Sequence, residues 1–142
     1  MLRKFDDGDL KVKITDHLQS CTREYQLENI VRKLPHAIDG MSPAQRKAFA
    51  TGRKKAVTKE IKVAALAGHV TAIMAYHHGE TSMHNTIIHM AQSFSGAKNL
   101  PLFLGIGQFG DRIAGLKSAG APRYISVKLN SLLTDVLFPK QD

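Results

Sequence analysis

Residues 60–94 read EIKVAALAGHVTAIMAYHHGETSMHNTIIHMAQSF, and the fold turns on them. Val63, Leu66, Ala67, Val70, Ile73 and Met74 recur at i, i+3, i+4 and i+7, which predicts an amphipathic helix from Glu60 to about Tyr76. Gly68 inside it costs about 1 kcal/mol against Ala. Tyr76-His77-His78-Gly79 breaks the pattern, and Glu80-Thr81-Ser82 opens a second helix with Met83, Ile87, Met90, Ala91 and Phe94 on one face. Two amphipathic helices joined by a short Gly-containing turn are a helix-turn-helix candidate. Hairpin-like strands are expected after them, which makes the fold class α+β, mainly helical: a winged helix with a small β wing.

Upstream, Ser42 is placed to cap a helix, Pro43 suits its first position and Gln45 completes a capping box with Ser42. Gly52 is the expected C-terminal stop. Arg46 and Lys47 fall at the start of this short helix, where the dipole favours an anion, so a phosphate would offset their charge. Further back, Leu18, Cys21, Tyr25 and Ile30 form a rough helical stripe over Asp16–Val31, ending before Leu34-Pro35 because Pro35 pushes Leu34 out of the helical region. His36–Gly40 reads as a turn-containing connector. Asp6-Asp7-Gly8-Asp9 reads as a solvated turn rather than a metal site, since no further acidic residues follow nearby.

Downstream, Gly96, Gly105, Gly107, Gly110, Gly115 and Gly120 punctuate a long connection with only short strand-like runs such as Leu102-Phe103-Leu104. A connection of that length in a small domain is usually functional. A strand follows at Ile125–Leu129, then an amphipathic tail from Leu132 to Phe138.

The 142 residues suffice for one domain with a real core, and an apolar content of 43% fits a globular chain. No run approaches the roughly 20 apolar residues of a membrane span, so no membrane partner is expected. The first residues lack an apolar segment of the secretory kind. The single Cys21 cannot form an internal disulfide, which fits a reducing compartment. The net charge is +8, and the sequence pI is about 9.8. Arg46, Lys47, Arg53, Lys54, Lys55, Lys59 and Lys62 crowd one stretch, opposed there only by Glu60. Such a block suits a polyanionic partner such as nucleic acid, which would release counterions on binding; a solvated basic loop or a localisation tract is the alternative.

One further stretch carries chemistry. In Gly120-Ala121-Pro122-Arg123-Tyr124-Ile125 a Pro sets the backbone and a fixed cation precedes a phenol at the mouth of a strand. That is a plausible nucleophile for a phosphate, but taken alone the stretch reads first as a plain strand-edge Tyr. His77, His84 and His89 do not have zinc spacing and have no Cys partners. No G-x-x-x-x-G-K-[ST] phosphate loop is present.

Four stretches, in this order and spacing, resemble the breakage–reunion core of the type IIA DNA topoisomerases: Asn29–Pro35 running into Asp39–Lys47, Tyr76–Glu80, Thr86–Phe94, and Gly107–Arg112 leading to Ala121–Ile125. The His-His-Gly-Glu form looks like the eukaryotic and large-DNA-virus branch. The resemblance covers roughly Leu27 to the C-terminus, leaving 1–26 as a lead segment and 27–142 as the winged-helix DNA-binding and cleavage domain.

The resemblance implies that Tyr124 attacks a DNA phosphodiester to give a 5′-phosphotyrosyl bond, with Arg123, His78 and Arg32 as its catalytic companions. It implies DNA contacts from Gln45, Arg46 and Lys47 and from the helix that begins at Glu80, with Thr81 and Ser82 in its first turn and His77 just before it. Arg53, Lys54, Lys55, Lys62 and Lys117 are further candidate phosphate contacts. A phenol with a pKa of about 10 needs activation at neutral pH, and forked guanidinium donors suit the charge that develops on the phosphate oxygens. His78 could donate to the same oxygens or relay a proton.

The resemblance also implies a longer, ATP-dependent homodimeric enzyme acting on duplex DNA. Its Mg²⁺ would sit in a separate Toprim-type domain and its ATP in another, leaving no metal or cofactor site in this part. A nuclear location is implied for a cellular enzyme, and the host cytoplasm or virion for a viral one. Two features depart from the family pattern. Ser42 stands where a Lys is common, and Ala114–Ser118 replaces a segment usually richer in Gly. A non-catalytic winged-helix DNA-binding module is the alternative.

Overall fold

The computed structural model describes residues 12–55, 57–74, 79–97 and 100–139. The backbone divides between Ser42 and Pro43 into two compact units.

The first unit is built on a helical rod. Helix α1 (Ile14–His17) passes through a π-helical turn (Leu18–Thr22) into α2 (Arg23–Lys33). Leu34 ends it in an extended conformation, ψ 134°, as Pro35 requires. The helix is two residues longer at each end than the stripe predicts, and within its own unit that stripe stays exposed at Leu18, Tyr25 and Ile30. After it, Gly40 takes φ +63° and donates to the His36 carbonyl at 2.8 Å, and the Asp39 carboxylate accepts from the Met41 N–H at 3.0 Å. The connector is thus a tight Asx-braced turn.

The second unit holds the core. Helices α3 (Pro43–Lys54), α4 (Val63–Met74) and α5 (Glu80–Ala91) pack on one another. They bury Ala48 and Phe49, then Val63, Leu66, Ala67 and Val70, then Met83, Ile87, Ile88, Met90 and Ala91. The helical period therefore identified the buried faces of α4 and α5, although Ile73 and Met74 are only half-buried. Strands β1 (Ile61–Lys62), β2 (Phe103–Ile106) and β5 (Ser126–Leu129) form an antiparallel sheet in the order β1-β5-β2. Its register sets Ile61 opposite Val127, Lys62 opposite Ser126, and Phe103 opposite Leu129. Phe103 and Val127 are fully buried. Between β2 and β5 a hairpin of β3 (Phe109–Asp111) and β4 (Gly115–Ala119) forms the wing, and α6 (Ser131–Leu137) closes the chain. This is the helix-turn-helix with a small β wing that the pattern predicts.

Three local expectations are corrected. Gly52 does not stop α3: the helix runs on to Lys54, and Gly52 is buried within it. A Cβ built there would sit 3.0 and 3.1 Å from the Phe103 ring, so this glycine serves close helix–sheet packing and not a left-handed cap. Glu60–Lys62 does not open α4. Ile61 and Lys62 are a short edge strand, because β5 offers them ladder partners far away in sequence. Finally, the glycine-rich connection is not an irregular loop: β2, β3 and β4 all lie inside it.

Candidate active site

Tyr124 lies in a turn between the wing and β5, and its side chain is 69% exposed. What holds it is backbone. The Tyr124 N–H donates to the Ala121 carbonyl at 2.8 Å, and the Ile125 N–H reaches the same carbonyl at 3.3 Å. Three carbonyls of the turn are then tied to consecutive residues, the last of β1 and the first two of α4. The Val63 N–H donates to Ile125 and the Ala64 N–H to Pro122, each at 3.1 Å, and the Lys62 ammonium donates to the Tyr124 carbonyl at 2.8 Å. The first N–H groups of a helix have no partner within it. Here the tyrosine turn supplies two of those partners, so it caps α4 and is fixed by it.

Ile125 anchors the turn from below, 4% exposed. Gly107 makes room for it: its φ is +113°, and a Cβ there would stand 3.1 Å from Ile125 Cγ2. Arg123 is exposed beside Tyr124, with Cζ 5.0 Å from the ring centroid, within cation–π range. An exposed phenol on a fixed backbone, with a permanent cation against its ring, can meet a polyanion.

The wing is bound to α5 by Gln92, just past the end of that helix. Gln92 is 3% exposed, its amide donates to the Phe109 carbonyl at 2.8 Å, and its Oε1 lies 3.0 Å from His89 Nδ1. At the wing tip the Asp111 carboxylate accepts from the N–H groups of Ile113 (2.8 Å) and Ala114 (2.7 Å) and from the Ser118 hydroxyl. Those bonds, the Ala114 N–H foremost, then the Ser118 hydroxyl and the Ile113 N–H, hold its pKa below the ordinary carboxylate value, against a smaller desolvation that raises it.

The other candidates distribute as follows. Gln45, Arg46 and Lys47 lie in the first half of α3, Arg46 exposed and the other two half-buried. Thr81 and Ser82 are exposed in the first turn of α5, where the Ser82 N–H donates to the Gly79 carbonyl. Lys117 is exposed on β4 of the wing. Lys62 is committed to the Tyr124 carbonyl. Arg53 turns to the C-terminal helix, donating to the Phe138 carbonyl at 3.0 Å with its Cζ 5.9 Å from that ring; Lys54 and Lys55 are exposed next to it. Arg32 belongs to the first unit, at the last turn of α2, and donates to Asn29 Oδ1 at 2.9 Å. His77 and His78 lie outside the described residues.

The structure thus brings Arg123 and Lys62 to Tyr124. Sequence reasoning missed Lys62 as a partner of the tyrosine turn, Gln92 as the wing's clamp and Asp111 as the brace of its tip. A Gln immediately after an apolar helical run and an Asp before a hairpin turn were the available signals. Among the described residues no group of three or more His, Cys, Asp or Glu could hold a metal ion. No helix is long and apolar enough to cross a membrane among these residues.

Residues 32–142 match the family model for the DNA gyrase/topoisomerase IV A-type subunit. The chain is 43% identical over 138 residues to DNA topoisomerase 2 of an African swine fever virus isolate (Tick/Malawi), covering 95% of this chain and 12% of that protein. To DNA topoisomerase 2 of Arabidopsis thaliana it is 42% identical over 137 residues, covering 96% of this chain and 9% of the relative. To human DNA topoisomerase 2-alpha it is 48% identical over 111 residues, 78% of this chain and 7% of the relative. The crystal structure of the Plasmodium falciparum topoisomerase II DNA-binding, cleavage and re-ligation domain superposes with a TM-score of 0.76 at 42% identity, covering 80% of this chain and 16% of that one. The chain spans about a tenth of the length of the curated relatives it matches. With a family model over most of its length and a solved fold in agreement, the chain belongs to the type IIA DNA topoisomerases, on the side of the family shared by eukaryotes and large DNA viruses.

Proposed function

We propose that this chain is the DNA-binding and DNA-cleaving winged-helix part of an ATP-dependent type II topoisomerase, and that Tyr124 is its nucleophile. The observation that carries the reading is the tyrosine turn itself: an exposed phenol whose backbone is tied at Pro122, Tyr124 and Ile125 to residues 62–64, with Arg123 against its ring. The names of the relatives and of the solved neighbour support it.

In this reading the Tyr124 phenolic oxygen attacks a backbone phosphorus and gives up its proton. The bond from phosphorus to the 3′ oxygen breaks, that oxygen takes a proton, and a 5′-phosphotyrosyl bond remains. Because one phosphoester replaces another, the step is reversible and religation needs no external energy. Arg123 stabilises the charge on the non-bridging oxygens, and His78 donates to the same oxygens or relays the proton; Arg32 of the first unit is a further guanidinium candidate for that charge. Gln45, Arg46, Lys47 and the first turn of α5 grip the duplex.

Mg²⁺ supplies charge neutralisation at the departing oxygen when bound, and it belongs to a Toprim-type domain outside these residues. ATP likewise belongs to another domain of a homodimeric enzyme. Such an enzyme works where duplex DNA is, in a nucleus or, for a virus, in the host cytoplasm or virion.

Tyr124→Phe in the full-length enzyme is expected to abolish the covalent protein–DNA adduct trapped by denaturant while leaving DNA affinity within about twofold, since the phenol's oxygen is the only atom removed. An adduct that persists in Tyr124→Phe contradicts the assignment and leaves the non-catalytic binding module as the better reading.

A further inference from the structure

The bonds that fix the tyrosine turn are not equivalent. The donors at Val63 and Ala64 are backbone N–H groups, which almost any residue supplies. The third donor is a side chain, the Lys62 ammonium, and it is the one that reaches the carbonyl of Tyr124 itself. The phenol is mostly exposed, so side-chain packing contributes little to where it points. Arg123, against its ring, is exposed as well. The direction in which the phenol leaves the chain therefore depends on the peptide plane that follows it; Lys62 holds that plane at its carbonyl at 2.8 Å, and the longer 3.3 Å bond from the Ile125 N–H to Ala121 holds its other edge.

The stem of Lys62 is itself placed. It stands on β1 opposite Ser126, two residues beyond Tyr124, so the ladder that aligns β1 with β5 also sets the ammonium beside the turn. A hydrogen bond from a charged donor is about twice as strong as a neutral one. Displacing a reacting group by about 1 Å costs on the order of 100-fold in rate.

We propose that Lys62 is a positioning residue for the transesterification: it orients the nucleophile through the Tyr124 carbonyl and is not spent on a DNA phosphate. The proposal rests on the reading of Tyr124 as the nucleophile. It separates Lys62 from the other lysines of the basic stretch, which net charge alone would treat alike.

The test uses the full-length enzyme and a duplex containing one cleavage site, with Lys62→Met, Lys62→Gln and Lys62→Arg compared with wild type after thermal melts confirm folding. Single-turnover adduct formation at saturating DNA is expected to fall about 10- to 100-fold in Lys62→Met and Lys62→Gln. Lys62→Arg, which keeps a charged donor, is expected to recover most of the rate. DNA affinity, and the slope of log affinity against log salt, should stay at wild-type values in all three, whereas losing a phosphate contact lowers that slope by about 0.9. The pH profile of adduct formation should keep its midpoint, because the ammonium acts on the carbonyl and not on the phenol. An unchanged rate in both Met and Gln variants, no recovery with Arg, a lowered salt slope or a displaced pH midpoint would each overturn the proposal. A wild-type enzyme that forms no adduct, or a Tyr124→Phe enzyme that still does, marks a failure of the nucleophile reading instead.

Discussion

Gly52 and Gly68 both sit inside helices, and substitution is expected to have opposite signs at the two. Gly68 is exposed in α4 and has nothing within 4 Å of a built Cβ. Gly68→Ala should therefore stabilise the fold by about 0.5–1 kcal/mol, the helix-propensity difference alone. Gly52 faces the Phe103 ring and Leu129 Cδ2, the latter 3.4 Å from a built Cβ, and Phe103 is fully buried. Gly52→Val adds methyls where no room exists and should destabilise by about 1–3 kcal/mol. Urea titrations of the two variants check both signs. The cost of Gly68 was legible because it is local. The role of Gly52 was not, because a glycine near a helix end obeys either a capping rule or a packing rule, and the partner that decides is a phenylalanine about fifty residues on. Tyr124 shows the same limit. Its chemistry was legible beside Arg123, but its ties to Lys62, Val63 and Ala64 depend on the sheet register.

Among the elements, α4 and α5 were the most legible, since their apolar residues keep one period and bury one face. The wing was the least. Its strands are short and glycine-broken, and what holds them is polar: Gln92 to Phe109 at its base and Asp111 at its tip. The Asp111 brace makes the tip sensitive to acid. Its folded-state pKa lies below the ordinary value of 3.8. The carboxylate thus contributes stability that is fully present above that value and is lost as pH falls through the depressed one. Amide signals of Ile113 and Ala114 should hold their hydrogen-bonded positions from neutral pH to about 4 and move only below it. Asp111→Ala should show the released positions at every pH, and wild-type amides that shift between pH 7 and 5 would contradict the brace.

At the scale of the molecule, the net charge of +8 pointed to a polyanionic partner, but it did not say which cations are placed to meet one. Arg53 is bound to the end of α6 and Lys62 to the tyrosine turn, so the basic stretch is not a single phosphate-binding patch. Arg53→Ala should accordingly leave the salt slope of DNA binding unchanged, while Arg46→Ala, at the start of α3 that the proposed function gives to the duplex, lowers it by about 0.9; equal losses from both would restore the single-patch picture. The division between Ser42 and Pro43 was not legible either, because the family-like stretches run across it without a change of composition. The most direct test of Tyr124 as the DNA-linked residue is mass spectrometry of the denaturant-trapped adduct, digested with nuclease and protease. A single nucleotide-phosphate mass on the Tyr124 phenol is the predicted result. The same mass on any other residue, or an unmodified Tyr124 peptide from a cleaved complex, would contradict it.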